Sequence, residues 1–505
     1  MSDENVPATV DAEARHSLAP VTRRRPTVVG IVVSVLVVAA AAIGLGVVLK
    51  AAVLPPMMAV LVVAADVVLS LGVVALLLLS GPRHHSVRFW VAVVLAVLLV
   101  VGNGVMAKVG TDYLTTVDKI QPPSTQTEAY DIVVLNTGAE AVDQLASTKM
   151  GEADADELAD AVHEGVAGIV DVTYETYPMW QDLITALENK DVTSIVIRDA
   201  YMQVLQDAEP DRFDSLRVLK TFEVDQSRAV WPKGETPTPT PTATPTPVAP
   251  SNAYIVYISG IDQYGSIGGK GRSDVNILMV INPTTGKVLL VNTPRDYYVK
   301  LHGKTGLPDK LTHAGAYGID VSVGTLQDLY DITIDYYLRI NFDSLMTIID
   351  AVGGVDVDSA YDFTSRGYTF HVGMNHMDGA TALAFSRARY NFADGDRTRG
   401  KNQEQVITSL IKKLSSPAVL GGYNRIVSGV QNSIQTSMPP DVISAQVRQQ
   451  LSSNQSWTVD SISVDGAGKL DYTWSYPGQR LYVMVPDQAT VDAAKAAIQA
   501  TLAGQ

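Results

Sequence analysis

The stretch AYIVYISGIDQYGSIGGKGRSDVNILMVINPTTGKVLLVNTPRD, residues 253–296, decides how the larger part of this chain folds. Its first run, Ala253 to Ser259, is apolar and reads as a strand that hands over to a loop at Asp262. Gln263 to Gly271 carries four glycines and reads as flexible. Arg272-Ser273-Asp274 opens a second strand, Val275 to Ile281. The turn Asn282-Pro283-Thr284-Thr285-Gly286 reverses the chain, and Lys287 to Asn292 runs back to Pro294-Arg295-Asp296. Three strands joined in this way form a meander. Asp274 and Arg295 stand at nearly equal distances from the turn and should lie level, while Arg272 and Asp274 share a face if extended. One end of the sheet thus collects Asp262, Arg272, Asp274 and Arg295.

Downstream, helical and strand patterns alternate, which makes Asn252 to Gln505 the largest unit and gives it an α/β character. A second polar cluster lies there. Ala380 to Phe385 reads as helical and runs into Ser386-Arg387-Ala388-Arg389-Tyr390. Asp396, Arg399 and Gln403 follow at offsets of three and four, so they line one side of a helix whose buried stripe continues through Val406, Ile407, Leu410, Ile411 and Leu414. Arg399 falls in its first turn, where free backbone N–H groups also favour an anion.

Upstream, the composition changes. Thr236 to Pro250 alternates Pro and Thr and reads as an extended spacer. Residues from about 126 to 230 read as a small α/β unit: Asp131 to Leu135 and Val192 to Ile197 are strand-like, and Asp156 to Val170 has helical spacing. No catalytic constellation is evident in it. Before it stand three apolar runs, Val28 to Leu49, Met57 to Leu79 and Phe89 to Met106, each of about the length that crosses a bilayer as a helix. Arg23 to Arg25 before the first run, and Arg83 to Arg88 between the second and third, mark the cytoplasmic side and place the chain beyond the third run outside. A cleaved signal peptide would account for the first run but not for the next two. Asp66 interrupts the second run and reads either as functional or as a contact between helices. The 505 residues hold no cysteine, which excludes disulfides, thiolate metal sites and cysteine nucleophiles. The net charge of −15 disfavours nucleic acid as a partner.

The two polar clusters share a chemistry. Arginine offers a rigid, always charged fork suited to a pyrophosphate, and two carboxylates are what a magnesium ion commonly takes from protein. A lone Arg–Asp pair is more often a surface salt bridge, and periodicity does not bring the two clusters together. A resemblance does. Gly260-Ile261-Asp262, Arg272-Ser273-Asp274, Thr293-Pro294-Arg295-Asp296, Lys310-Leu311-Thr312-His313-Ala314, Asp350-Ala351-Val352-Gly353-Gly354-Val355 and Phe385-Ser386-Arg387-Ala388-Arg389, closed by Asp396, Arg399 and Gln403, resemble the LytR-CpsA-Psr family of cell-wall phosphotransferases. The similarity covers roughly the last 250 residues.

The resemblance implies a membrane-anchored enzyme that moves a glycopolymer, such as a teichoic acid or capsule polysaccharide, from a polyprenyl pyrophosphate carrier to peptidoglycan. It implies that Asp262 and Asp274 bind Mg2+, and that Arg272, Arg295, Arg387, Arg389 and Arg399, with Gln403, hold the pyrophosphate. Asp396 would orient arginines in the same site. Catalysis would fall to Asp262, Asp274, Arg295, Arg387 and Arg389. Leu326, Leu329, Leu338, Ile340, Phe342, Leu345 and Ile349 are candidates for an apolar tunnel around the lipid, or for ordinary core. His313, His371 and His376 are left out of the metal site. The expected organisation is a cytoplasmic tail (1–26), three transmembrane helices (27–109), an extracytoplasmic accessory domain (126–232), a Pro/Thr-rich linker (233–251) and an α/β catalytic domain with a central mixed sheet (252–505), in the plasma membrane of a Gram-positive bacterium. The same site could serve a hydrolase of polyprenyl pyrophosphates, and a polymer-binding or regulatory module is the non-enzymatic alternative.

Overall fold

The computed structural model describes residues 27–79, 87–122, 127–154, 156–225, 252–261, 271–389, 391–392, 396–414, 434–453 and 455–505. The N-terminal tail, Arg83, the Pro/Thr spacer, Asp262 and Tyr390 lie outside the described residues, as does the side chain of Asp396.

The chain forms two compact units, one of Met1–Lys50 with Pro56–Lys108, the other of Ala51–Pro55 with Val109–Gln505. Helices Val28–Ala51, Pro56–Leu79 and Val87–Lys119 are 24, 24 and 33 residues long and apolar enough to cross a membrane. At 1.5 Å per residue a 24-residue helix spans about 36 Å, more than the ~30 Å of bilayer hydrocarbon. Many of their large apolar side chains, Leu61, Leu71 and Leu98 among them, face outward, as lipid contact requires. Within the first unit the helices meet through Val37, Val73, Leu77, Phe89, Ala92 and Ala96. Asn103 donates to Asp66 Oδ1 at 2.8 Å, so Asp66 has the role of a helix-to-helix contact. The third helix continues ten residues past the expected boundary at 109, to Lys119. The reason is tertiary: Tyr113 Oη and Ser444 Oγ lie 2.8 Å apart, and Gln121 donates to the carbonyl of Met438 at 3.0 Å.

The accessory domain is a five-stranded mixed sheet in the order Thr173–Tyr177, Lys149–Ala153, Ser194–Arg198, Thr127–Leu135 and Leu216–Asp225. Its strands alternate between two cores. Tyr130, Ile132, Val134 and Val196 face helix Ala159–Ala167. Val133, Ile195 and Ile197 face helices Trp180–Asn189 and Asp199–Ala208. The second core is closed by Tyr476 and Leu481 from the far end of the chain. Although Thr236 to Pro250 reads as an extended spacer, this shared apolar packing ties the unit closely to the C-terminal residues.

The C-terminal domain is built on a six-stranded sheet in the order Ile434–Thr436, Tyr336–Ile340, Tyr254–Ile261, Ser273–Asn282, Lys287–Asn292 and Thr458–Ser463. The expected meander is its centre, with antiparallel pairing of Tyr254 to Ile281 and of Ile277 to Asn292. Parallel strands join outside it, beside Tyr254–Ile261 and beside Lys287–Asn292, so the sheet is mixed. Both faces are apolar because both are covered. Ile255, Tyr257, Leu278, Val280, Leu289 and Val291 pack under helices Leu311–Tyr317, Ile319–Tyr330 and Gln488–Leu502. The alternate residues Ile258, Ile277, Val288 and Leu290 pack against Ile407 and Ile411 of helix Asp396–Leu414. Burying a side chain such as Ile277 contributes about 1.5–3 kcal/mol, and a one-residue slip would invert both faces.

Candidate active site

The site lies at the end of the central sheet where strand Ser273–Asn282 begins and strand Lys287–Asn292 ends. Ile277 pairs with Asn292, so the register carries Asp274 level with Arg295. Arg295 Nη1 donates to Asp274 Oδ1 at 2.6 Å, and Thr312 Oγ1 donates to the same oxygen at 3.0 Å. Helix Leu311–Tyr317 supplies Thr312 from close by. A Cβ on Gly315 would stand 2.5 Å from both the carbonyl of Gly271 and Ser273 Oγ, so only glycine lets the helix lie against the strand there.

The second cluster arrives from two helices, and a third helix lines the cleft beside it. Helix Gly379–Ser386 starts at Asp378, which caps it by accepting from the amide of Thr381 at 2.8 Å. It ends at Arg387, whose amide returns to Leu383 at 3.1 Å. Helix Phe342–Ala351 starts at Asn341, capped with Ser344 at 3.1 Å. Helix Asp396–Leu414 reaches the sheet at Gly400, where any Cβ would overlap the side-chain amide of Asn292. That close approach sets Arg399 and Gln403 beside Asp274 and Arg295.

Two adjoining clefts result. The larger, of about 260 Å³, is lined by Asp274, Arg295, Arg366, Arg387, Arg389, Arg399 and Gln403. Its lining also includes apolar residues: Ile261, Val275, Ile340, Leu345, Leu383, Val406 and Ile407. The smaller, of about 180 Å³, shares Asp274, Arg295, Arg399 and Gln403 and adds Arg397, Lys401, Ser463 and Asp465. Of the apolar candidates, Ile340 and Leu345 line the cleft. Leu326 and Leu329 belong to the core under the opposite sheet face, Ile349 packs with Val355 and Phe385, and Leu338 packs against Tyr254 and Val256. For these four, core packing is the role; the side chain of Phe342 lies outside the described residues.

Arg272 departs from the expected set. It lines neither cleft but turns to the accessory domain, its amide donating to Gln203 Oε1 at 2.9 Å and its Nη1 to the Gln203 carbonyl at 3.0 Å. Gln203 and Asp207 sit four residues apart on helix Asp199–Ala208, and so on one face of it. Asp207 accepts from Arg295 Nη2, with Lys310 Nζ at 2.7 Å, His313 Nε2 at 3.4 Å and Arg272 Nη1 at 3.9 Å. Burial alone would raise the pKa of Asp207, but His313, Arg295 and Lys310 outweigh it and hold the carboxyl well below the usual range. His313 is fully buried, which favours its neutral form. Asp309, 2.7 Å from Nδ1, and Asp207 reverse that and raise its pKa, so it pairs with both carboxylates. His371 and His376 are exposed and pair with Asp362 and Asp356.

Sequence reading missed Asp207 and Gln203, which belong to a unit with no motif of its own. It also missed Arg366, although the triplet Ser365-Arg366-Gly367 is a hairpin-turn signal; Arg366 takes φ 51° there. Among the described residues no group of three or more His, Asp or Glu is placed to hold a metal. The donor chemistry nonetheless fits magnesium: Asp274 is a hard oxygen ligand on a cationic cleft, and both of its bonds described above fall on Oδ1.

The model of the LytR_cpsA_psr family matches residues 226–497. A Bacillus mycoides protein named polyisoprenyl-teichoic acid–peptidoglycan teichoic acid transferase TagU is 33% identical over 246 residues, covering 48% of this chain and 78% of that protein. A protein of the same name from Bacillus cereus (strain AH820) is 34% identical over 246 residues, with the same coverage of 48% and 78%. The crystal structure of B. subtilis TagV is 27% identical with a TM-score of 0.41, covering 50% of this chain and 98% of that one. By the extent of the family match and by the two relatives named TagU, the chain belongs to the LytR_cpsA_psr family.

Proposed function

We propose that this chain is a membrane-anchored phosphotransferase that moves a teichoic-acid-type glycopolymer from a polyprenyl pyrophosphate carrier to a hydroxyl of peptidoglycan, on the outer side of the plasma membrane. The observation that carries this reading is one cleft lined both by arginines and by apolar side chains. A pyrophosphate needs the first and a polyprenyl chain the second. Arg387, Arg389 and Arg399, with Gln403, bind the phosphate oxygens, and Arg295 joins them from the sheet. The smaller polar cleft meets the larger at Asp274, Arg295, Arg399 and Gln403, which leaves it for the acceptor glycan.

The acceptor oxygen attacks the phosphorus that carries the polymer. The new P–O bond forms as the bond to the bridging oxygen breaks, and polyprenyl phosphate leaves with that electron pair. Asp262 or Asp274 takes the hydroxyl proton. The arginines stabilise the charge that grows on the leaving phosphate, from positions fixed before substrate binds. Asp262 and Asp274 would hold magnesium, which when bound supplies further neutralisation of the phosphate oxygens.

The names of the TagU relatives support the donor and the acceptor. The arginines that precede the first and third apolar runs support the outward orientation. The test is a transfer assay with the full chain in detergent, a polyprenyl-pyrophosphate-linked teichoic glycan, magnesium and peptidoglycan fragments, read by mass spectrometry. A covalent glycan–peptidoglycan product that disappears with Asp274→Ala is the expected result. Free phosphorylated glycan as the sole product would make the chain a hydrolase, and lipid retained without turnover would make it a binding module.

A further inference from the structure

We infer that the accessory domain is part of the transfer site, and that its Asp207 is a positioning residue that fixes the Arg295 guanidinium; this rests on the transferase reading above. Arg295 is held as a fork from both sides. Nη1 lies on Asp274 of its own sheet and Nη2 on Asp207 of the other domain. Asp296 lies 3.6 Å from Nε, too long for a hydrogen bond, so the contacts of Nη1 and Nη2 are the two that fix the plane of the guanidinium. Both ends of the pair are desolvated, with Arg295 11% and Asp207 10% exposed. Lys310 and His313, from the Lys310-Leu311-Thr312-His313-Ala314 segment, in turn hold Asp207 in place at 2.7 and 3.4 Å. Lys310 also lies 3.3 Å from Asp296, and His313 is tied to Asp309 and Ser475, so the carboxylate sits in a cradle braced by the catalytic domain.

Docking of the two domains does not need this charge. Apolar contact already supplies it: Tyr476 and Leu481 close the accessory core, Trp180 lies 5.5 Å from Tyr476, and Tyr201 meets Tyr317 edge-on at 6.3 Å. A buried ion pair adds little to such an interface, because desolvation offsets the attraction. What it adds is geometry, and it adds it at an arginine that lines both clefts. Misplacing such a group by about 1 Å slows a reaction on the order of 100-fold.

The test uses the full chain in detergent and separates kcat from the KM for the lipid-linked donor. Asp207→Asn is expected to lower kcat on the order of 10- to 100-fold while KM moves less than about 3-fold. Asp207→Glu should restore part of the rate. Val166→Ala, in the core under helix Ala159–Ala167 on the other face of the accessory sheet, should keep kcat at a matched loss of thermal stability. A wild-type kcat in Asp207→Asn overturns the inference, and so does a faster enzyme, which would make Asp207 a plug in the anion site. If the parent makes no covalent product, the transferase reading fails instead. The crystal structure of Asp207→Asn then decides positioning by itself: Arg295 displaced from Asp274 supports it, and an unmoved guanidinium overturns it.

Discussion

Glu404 shows how one residue of the site helix responds to pH. It follows Gln403 and accepts from Ser463, a residue of the smaller cleft, at 3.0 Å. Burial pushes its carboxyl up to about 7, against a smaller downward pull from Ser463 and Ser461. Unfolded, it would titrate near ~4.3. The folded state therefore binds the proton more readily, and a penalty grows as pH rises from the unfolded value through about 7. Glu404→Gln removes the titration. Its melting temperature relative to the parent should rise between pH 5 and pH 8, measured by scanning calorimetry, and a constant difference would show Glu404 already ionised at pH 5. The Asp207 and His313 pair has the opposite signs within itself. The contribution of Asp207 is present above its unfolded pKa and lost in acid, whereas that of His313 is full below pH ~6.5 and lost as pH rises through its raised value.

At the scale of elements, the helix Asp396–Leu414 carries the pattern that sequence reads most plainly. The offsets of Arg399 and Gln403 fix their common side, and Ile407 and Ile411 fix the side turned to the sheet. How near the helix comes is decided at Gly400. Gly400→Val must push the first turn away from Asn292. Overpacking of this kind costs about 1–3 kcal/mol, and it moves Arg399 and Gln403 together. Transfer activity should therefore fall further than thermal stability does, and equal losses in both would show that the helix shifts without disturbing the clefts. Offsets of four also place Gln203 and Asp207 on one face of helix Asp199–Ala208, but nothing in that spacing says that a second domain lies opposite.

The whole molecule joins three helices long and apolar enough to cross a membrane to a domain of the LytR_cpsA_psr family, and two experiments bear on that scale. With no cysteine in the chain, a single introduced thiol reports one position. Gln488→Cys should react with a membrane-impermeant maleimide on intact spheroplasts, and Ser2→Cys should react only after lysis. The reverse pattern would invert the proposed orientation. Chelating magnesium should abolish transfer, and adding it back should restore the rate in the parent but not in Asp274→Ala. Full activity in chelator would leave the arginines to do the phosphate chemistry without a metal.

Much of this was determined by the sequence alone. Apolar runs between Tyr254 and Asn292, separated by one glycine-rich stretch and one Asn-Pro-Thr-Thr-Gly turn, dictate the meander and set Asp274 level with Arg295, because local rules fix strand and turn together. Three apolar runs of bilayer length dictate the membrane helices. The motifs named the family and most of the cleft. What only the tertiary structure decided are contacts between segments far apart in the chain. Arg272 turned from the cleft to Gln203, Leu326 and Leu329 went to the opposite core, and Asp207 came to rest on an arginine 88 residues away. Docking of two domains is governed by the shape of both surfaces, such as Tyr476 closing the core beside Trp180, and no periodicity within either segment encodes its partner.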